Sequence, residues 1–248
     1  VVALEIEDVL RTGSSCPVRV VTDEGRFVVK LIGGAEGPRA LASEWIATGL
    51  AGALGLPSLE RRPVWLGPEL ARGLLDSELR EHVERGAGEC LGLRWLPLAA
   101  PATQRELAAA DDDFALRVLW LDSLVQNPDR RSANPNVLRL GSSLLPIDHA
   151  AALPFHHTWS LSEAAPGEGP TCDAAHVFAD RLPRLLPRSG EFAELTPREL
   201  IEAECLGLPE SWLGEIVFET PERQKLAYAA WLWKRLRALR VQGRAALA

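Results

Sequence analysis

Apolar and polar positions alternate most clearly near the start of the chain. Residues 17–32 carry two β-branched runs, Pro17-Val-Arg-Val-Val and Arg26-Phe-Val-Val-Lys30-Leu-Ile, on either side of Asp23-Glu-Gly25. Turn residues between two such runs predict a β-hairpin. The period then changes. Leu41, Trp45, Ile46, Leu50 and Leu54 recur at helical spacing behind Pro38, and Gly55 and Pro57 end the run, which predicts a helix over 38–54. Short strands are expected at Pro63-Val-Trp-Leu66 and at 91–97, and the Pro/Ala stretch from Pro97 to Pro101 reads as a hinge. A second helix is predicted over 111–126, with Asp111 to Asp113 at its positive end and Phe114, Val118, Leu121, Leu124 and Val125 on its apolar face. Asn127-Pro128 stops it.

Two more short strands, 136–140 and 144–147, flank Gly141-Ser-Ser. Beyond residue 160 the pattern is mainly helical. It contains a Pro/Gly/acidic loop at 163–171, a capping box at Thr196-Pro-Arg-Glu199 and a long helix over 221–240. That helix is expected to bury Leu226, Ala230, Trp233, Leu236 and Leu239. Strands, a helix, more strands, a hinge and then helices make an α+β chain of two lobes. The expected division is a β-rich N-terminal lobe over 1–98 and a mostly helical C-terminal lobe over 99–248.

Composition narrows the classes. A chain of 248 residues, 47% hydrophobic and 25% charged, suits a soluble globular protein. Its net charge of −7 offers no basic footprint for nucleic acid or an anionic membrane. Arg235, Arg237, Arg240 and Arg244 are expected on a solvated helix face. Cys16, Cys90, Cys172 and Cys205 are far apart and include no Cys-x-x-Cys pair, so reduced thiols and a cytoplasmic location are expected. The acidic opening at residues 1–8 is not a leader pattern, and no apolar run reaches the ~18 residues of a membrane span. The sequence contains no methionine.

The candidate chemistry lies between Asn127 and His149. Asp129 is followed five residues later by Asn134, then by an apolar run, then by Ile147-Asp148-His149. This is the order used in phosphoryl transfer: one carboxylate for the attacking hydroxyl, then a carboxamide and a second carboxylate as hard oxygen ligands for Mg²⁺ beside ATP phosphates. Asn136 is a further candidate, either for metal or for capping the turn. Lys30 is one of only three lysines among 27 basic residues and sits at the end of an apolar strand, where an ammonium must snorkel or meet an anion. Glu44 on the following helix is the expected partner. The polar segment Gly13-Ser14-Ser15 is small enough to approach a phosphate. Trp95 and Leu96, before the hinge, are placed to pack on an adenine or to enter the core. His149, His156 and His157 lack a third metal ligand at sensible spacing, so a structural or nucleotide-proximal role is expected.

Taken together, these segments resemble the HipA-like kinase family and, more distantly, the phosphatidylinositol 3-/4-kinase and protein kinase fold. The resemblance rests on Gly13-Ser-Ser, Val28-Val-Lys30-Leu, the stretch Gly37 to Glu44, Asn127-x-Asp129-Arg130-x3-Asn134 and Ile147-Asp148-His149. It implies that Lys30 binds ATP, that Asp129 is the catalytic aspartate, and that Asn134 and Asp148 hold Mg²⁺. Toxin-type members carry a histidine where this chain has Arg131, and they are longer, so a toxin role or an antitoxin partner is not part of the expectation. Self-phosphorylation in the phosphate loop of such kinases makes Ser14 and Ser15 candidate modification sites. The expected activity is a Ser/Thr protein kinase. A small-molecule or lipid-headgroup kinase and a catalytically silent pseudokinase scaffold are the alternatives.

Overall fold

The computed structural model describes residues 1–11, 15–159 and 172–245. The expected hairpin is β2 (Val18–Thr22) and β3 (Gly25–Lys30), with Val20 opposite Phe27 and Thr22 opposite Gly25. Gly25 sits at φ 112°, a backbone angle that a side chain would oppose. The Thr22 hydroxyl closes the turn by donating to the Gly25 carbonyl at 2.8 Å. Val18, Val20, Phe27 and Val29 are all fully buried.

The pattern does not mark β1 (Ala3–Val9), which carries Glu5, Glu7 and Asp8; it pairs antiparallel with β2, buries Ala3 and Val9, and has Arg19 and Arg26 on Glu7 across the sheet. β4 (Arg61–Leu66) and β5 (Gly88–Arg94) complete a sheet of order β1-β2-β3-β5-β4. The Trp65 N–H donates to the Val1 carbonyl at 2.9 Å, drawing the β4 edge back toward β1. Between β4 and β5 lies α2 (Ser77–Gly86), where Asp76 accepts the Glu78 and Leu79 amides.

α1 (Pro38–Ala53) buries nearly its whole circumference, which explains its weak amphipathic signal. It packs on α4 (Asp112–Val125), on α6 (Arg198–Leu206) and on the turn at 210–212. A smaller apolar cluster under the sheet holds Phe27, Val29, Val64 and Cys90. A larger one runs from Leu91 and Leu93 through α1 and α4 to the C-terminal helices. Alternation along β5 sends its side chains to both clusters.

Several polar contacts hold α1 from the C-terminal side. Arg39 donates to the Leu213 and Glu215 carbonyls, and Ser43 to the Ala152 carbonyl at 2.7 Å. Trp212 is fully buried, meets Trp45 edge-on at 5.7 Å and donates its indole N–H to the Glu89 carbonyl of β5 at 2.6 Å. Arg61 lies over the Trp45 ring and pairs with Glu204. One brace therefore holds both the helix that carries Glu44 and the strand beside Lys30.

Past residue 98, β6 (Ala100–Pro101) joins β7 (Val137–Leu140) and β8 (Ser143–Pro146) in a second sheet of order β6-β7-β8. α3 (Gln104–Ala108) opens on a complete capping box between Thr103 and Glu106. The box expected at Thr196 does not form. α6 starts after Pro197 without a side-chain cap, and the Thr196 hydroxyl turns back to the Phe192 carbonyl of α5 (Leu182–Leu195). The expected loop at 163–171 falls entirely on residues outside those described.

In α7 (Pro221–Ala245) Leu236 and Leu239 are buried as expected, but the buried face of the first half is displaced. It buries Tyr228, Ala229, Trp231, Leu232, Leu236 and Leu239, and leaves Leu226 and Ala230 exposed. Aromatic packing decides the phase, since Phe155 stacks on Trp231 at 4.0 Å and also contacts Tyr228. Arg235 is fully buried rather than solvated, and its Nε donates to the Ser123 carbonyl at 3.1 Å. Among the described residues no helix is long and apolar enough to cross a membrane, and the four cysteines are free thiols.

His156 belongs to this aromatic core. It is fully buried with Nδ1 3.0 Å from the Tyr228 hydroxyl, and burial, reinforced by the charges of His157 and Arg39, pushes it down to about 3. An unfolded histidine takes up a proton near pH 6.5, whereas this one does not, so its contribution to stability is complete above pH 6.5 and falls as pH drops toward 3. Urea denaturation should show the wild type losing about 2–3 kcal/mol from this group between pH 7 and pH 4.5, a loss missing from the slope of His156→Phe.

Candidate active site

The site is built on the turn that ends α4. Gln126 adopts a left-handed conformation (φ 52°) and breaks the helix. The Asn127 side chain then bridges back and forward: its Nδ2 donates to Asp122 Oδ1 at 3.1 Å, and its Oδ1 accepts the Asp129 N–H at 3.1 Å. This local knot turns Asp129 away from the helix axis. Asp129 Oδ2 in turn receives the carboxamide N–H groups of Asn134 at 2.9 Å and Asn136 at 3.0 Å.

Arg130, the next residue, points the other way and is fully buried. Its Nε donates to Asp122 Oδ2 at 2.6 Å, its Nη1 to the carbonyls of Asn136 and Ile147 at 2.5 and 3.1 Å, and its Nη2 to His149 Nδ1 at 3.0 Å. One guanidinium thus ties the Asp129 segment to the Asp148 segment, which a lysine could not do. His176 Nε2 adds a contact to Asp122 Oδ2 at 3.0 Å. Burial opposes the charge on Asp122, but Arg130 and the His176 hydrogen bond outweigh it and hold the carboxyl well below the usual range. Burial and the Arg130 charge push His149 down to about 4, so its ring is neutral and Nδ1 serves as an acceptor.

Asp148 follows β8 in a left-handed conformation (φ 57°), which a short polar side chain tolerates better than most. The turn aims its carboxylate at Lys30. Lys30 Nζ lies 2.6 Å from Asp148 Oδ1 and 2.7 Å from Glu44 Oε2, and the same Glu44 oxygen accepts the His149 N–H at 2.8 Å. Burial would lower the Lys30 ammonium, but the Glu44 and Asp148 charges outweigh it and raise it above the ordinary lysine range. Asp148 is lowered because Lys30 overcomes its partial burial.

Two adjoining cavities share Ser15, Leu138, Ile147 and Asp148. One, of about 250 Å³, is mainly apolar and is walled by Val28, Leu93, Trp95 and Leu96, with Lys30 inside. The other, of about 610 Å³, holds Asp129, Asn134, Asn136 and Asp148. Trp95 has Arg19 over its ring at 5.1 Å, and its N–H is already donated to the Arg26 carbonyl, so that backbone group does not face the slot as a spare donor. A larger cavity of about 760 Å³, near Arg117 and Arg139, contains none of these groups.

The expected residues Lys30, Glu44, Asp148, Asp129 and Asn134 are therefore gathered at one cleft, with Ser15, Trp95 and Leu96 on its walls. Gly13 and Ser14 lie outside the described residues. His156 is in the core, away from the cleft. His149, expected in a structural or nucleotide-proximal role, lies behind the cleft, and Asp122 and His176 are the members that sequence reasoning did not assign to the site. Asp122 did carry a signal, since an acid between Leu121 and Leu124 on a buried helix must find a partner.

A metal ion suits the donor chemistry. Among the described residues no three His, Cys, Asp or Glu side chains form a metal cluster. The cavity instead offers Asp148 with the carboxamides of Asn134 and Asn136, whose oxygens remain after their N–H groups bind Asp129. Hard oxygen donors of this kind fit Mg²⁺.

The family model described as HipA-like kinase matches residues 4–191. Among solved structures, the proinflammatory kinase CtkA of Helicobacter pylori is similar at a TM-score of 0.60 and 13% identity, over 96% of this chain and 95% of that one. At that identity the likeness establishes the fold. No relative is found among curated proteins.

Removing Arg130 should expose how much depends on it. Arg130→Leu leaves the Asp122 charge buried and unpaired, at an expected cost of about 3–5 kcal/mol in denaturant unfolding. The double variant Asp122→Leu/Arg130→Leu should recover part of that loss, because no charge is then stranded.

Proposed function

The chain belongs to the HipA-like kinase family, and from that premise we propose that it transfers the γ-phosphoryl group of ATP, with Mg²⁺, to a hydroxyl, most simply that of a Ser or Thr in a protein. The observation that carries this reading is the single cleft in which Lys30 bridges Glu44 and Asp148 while Asp129 shares a cavity with Asp148 and Asn134. On this reading the lobes divide near residue 98. The adenine occupies the apolar slot between Val28 and Ile147, beside Trp95 and Leu96.

Lys30 binds phosphate oxygens as a fixed cation that Glu44 keeps in position. Asp129 orients the acceptor hydroxyl and takes its proton as the new P–O bond forms and the bond to the leaving ADP oxygen breaks. Asn134 and Asn136 hold Asp129 in place through its Oδ2. Mg²⁺, held by Asp148 and Asn134, would supply charge neutralisation for the phosphates. Ser15 lines both cavities, so phosphosite mapping after incubation with ATP is a direct way to ask whether this segment is itself an acceptor.

Thermal unfolding with and without Mg-ATP tests the nucleotide site. A ligand at ~100 times its dissociation constant adds about 2.7 kcal/mol, which for a chain of this size raises Tm by roughly 5–10 °C. The shift should require Mg²⁺ and vanish in Asp148→Ala. Asp129→Asn should keep the shift yet lose phosphoryl transfer by about 10²–10⁴-fold. No shift at millimolar Mg-ATP would overturn the active-kinase reading in favour of a scaffold. Transfer to an added small alcohol but to no polypeptide would reassign the acceptor.

A further inference from the structure

We propose that His176 is a positioning residue for the phosphoryl-transfer site, acting through Asp122 and Arg130 from a segment that touches none of the reacting atoms. Its ring is fixed at both nitrogens. Nδ1 accepts the Phe178 N–H at 3.1 Å, so Nε2 carries the hydrogen, which it donates to Asp122 Oδ2 at 3.0 Å. The side chain is buried, and Phe178 behind it is fully buried against Phe114.

Asp122 needs this donor. Its Oδ1 receives Asn127 Nδ2 and Arg130 Nη2, whereas Oδ2 receives Arg130 Nε and His176 Nε2. With His176 in place, the carboxylate has its acceptor sites filled, and the guanidinium can align its remaining donors on Asn136, Ile147 and His149. Those are the backbone and ring groups on either side of Asn134 and Asp148.

The main chain around His176 is stitched to the same loop. The Ser132 N–H donates to the Ala175 carbonyl and the Val177 N–H to the Arg130 carbonyl, each at 3.2 Å, forming a short antiparallel bridge between Arg131 and His176. The 173–178 segment thus reports its position to Asp129 by two routes, a backbone ladder and one imidazole. Only the imidazole can be changed without altering the chain path, and it is therefore the testable element.

Two variants separate its roles. His176→Asn retains an oxygen that can accept the Phe178 N–H but is too short to reach Asp122. His176→Gln is long enough to donate to Asp122. The readouts are amide hydrogen exchange at Arg131, Asn134 and Ile147 in the full chain, and Mg-ATP turnover with water as acceptor. The second readout rests on the proposed activity, and the first does not.

In His176→Asn, exchange at those amides should rise about tenfold while α7 is unchanged, and turnover should fall at least about tenfold with KM for ATP within about twofold. His176→Gln should restore both to within about threefold of wild type. Equal behaviour of the two variants, wild-type exchange in the Asn variant, faster exchange spread evenly through α7, or failure of the Asn variant to fold would each overturn the proposal. A wild type that does not turn over Mg-ATP would remove the activity reading, and the exchange pattern would still decide the role of His176.

Discussion

A buried guanidinium organises this molecule. Arg130 cannot discharge by losing its proton, so once it is removed from water each of its donors must be met. Asp122, two segments of main chain and His149 meet them. The hydrogen bonds continue outward. His149 accepts from Arg130 through its ring and donates through its backbone to Glu44, which binds Lys30, which binds Asp148. A continuous line of charged and polar groups therefore runs from the core of α4 to the floor of the cleft. Its members come from β3, α1, the end of α4 with the turn after it, and the segment after β8.

The electrostatics of the cleft follow from that line. Glu44, Asp148 and Asp129 contribute three carboxylates, and Lys30 is the cation placed among them. On the proposed reading, a triphosphate alone would meet net negative charge there, which a bound dication would offset. The carboxamides of Asn134 and Asn136 add oxygen donors without adding charge, which fits a site that has to release its product as well as bind its substrate.

Much of this was legible in the residue pattern because the signals were local. The hairpin has turn chemistry between β-branched runs, α1 and α4 have helical spacing, and the step from Asp129 to Asn134 to Asp148 lies within twenty residues or so of the chain. The family model and the CtkA likeness agree with the fold so read. What escaped had no local signature. His176 lies 54 residues from Asp122, and nothing in its neighbourhood announces the pairing. β1 is held by its ladder to β2, with its acidic side chains met by Arg19 and Arg26 from neighbouring strands, which no single strand displays. In the first half of α7 the buried face is set by Phe155 and Trp231 meeting across the core, which spacing does not show, while Leu236 and Leu239 are buried as expected. Arg235 was misjudged because its partner is a main-chain carbonyl, and carbonyls are invisible in a sequence.

The brace on α1 has a consequence for control. Arg39, Ser43 and Trp45 fasten this helix to the carboxyl-terminal half, and Trp212 fastens the same half to β5. A helix held on several sides has no inexpensive second position, so Glu44 cannot serve as a throttle by swinging away from Lys30. On the proposed reading, a kinase so assembled keeps its Lys30–Glu44 pair made between turnovers. Control would then act at the mouth of the cleft, where Ser15 lines both cavities, and not through this helix.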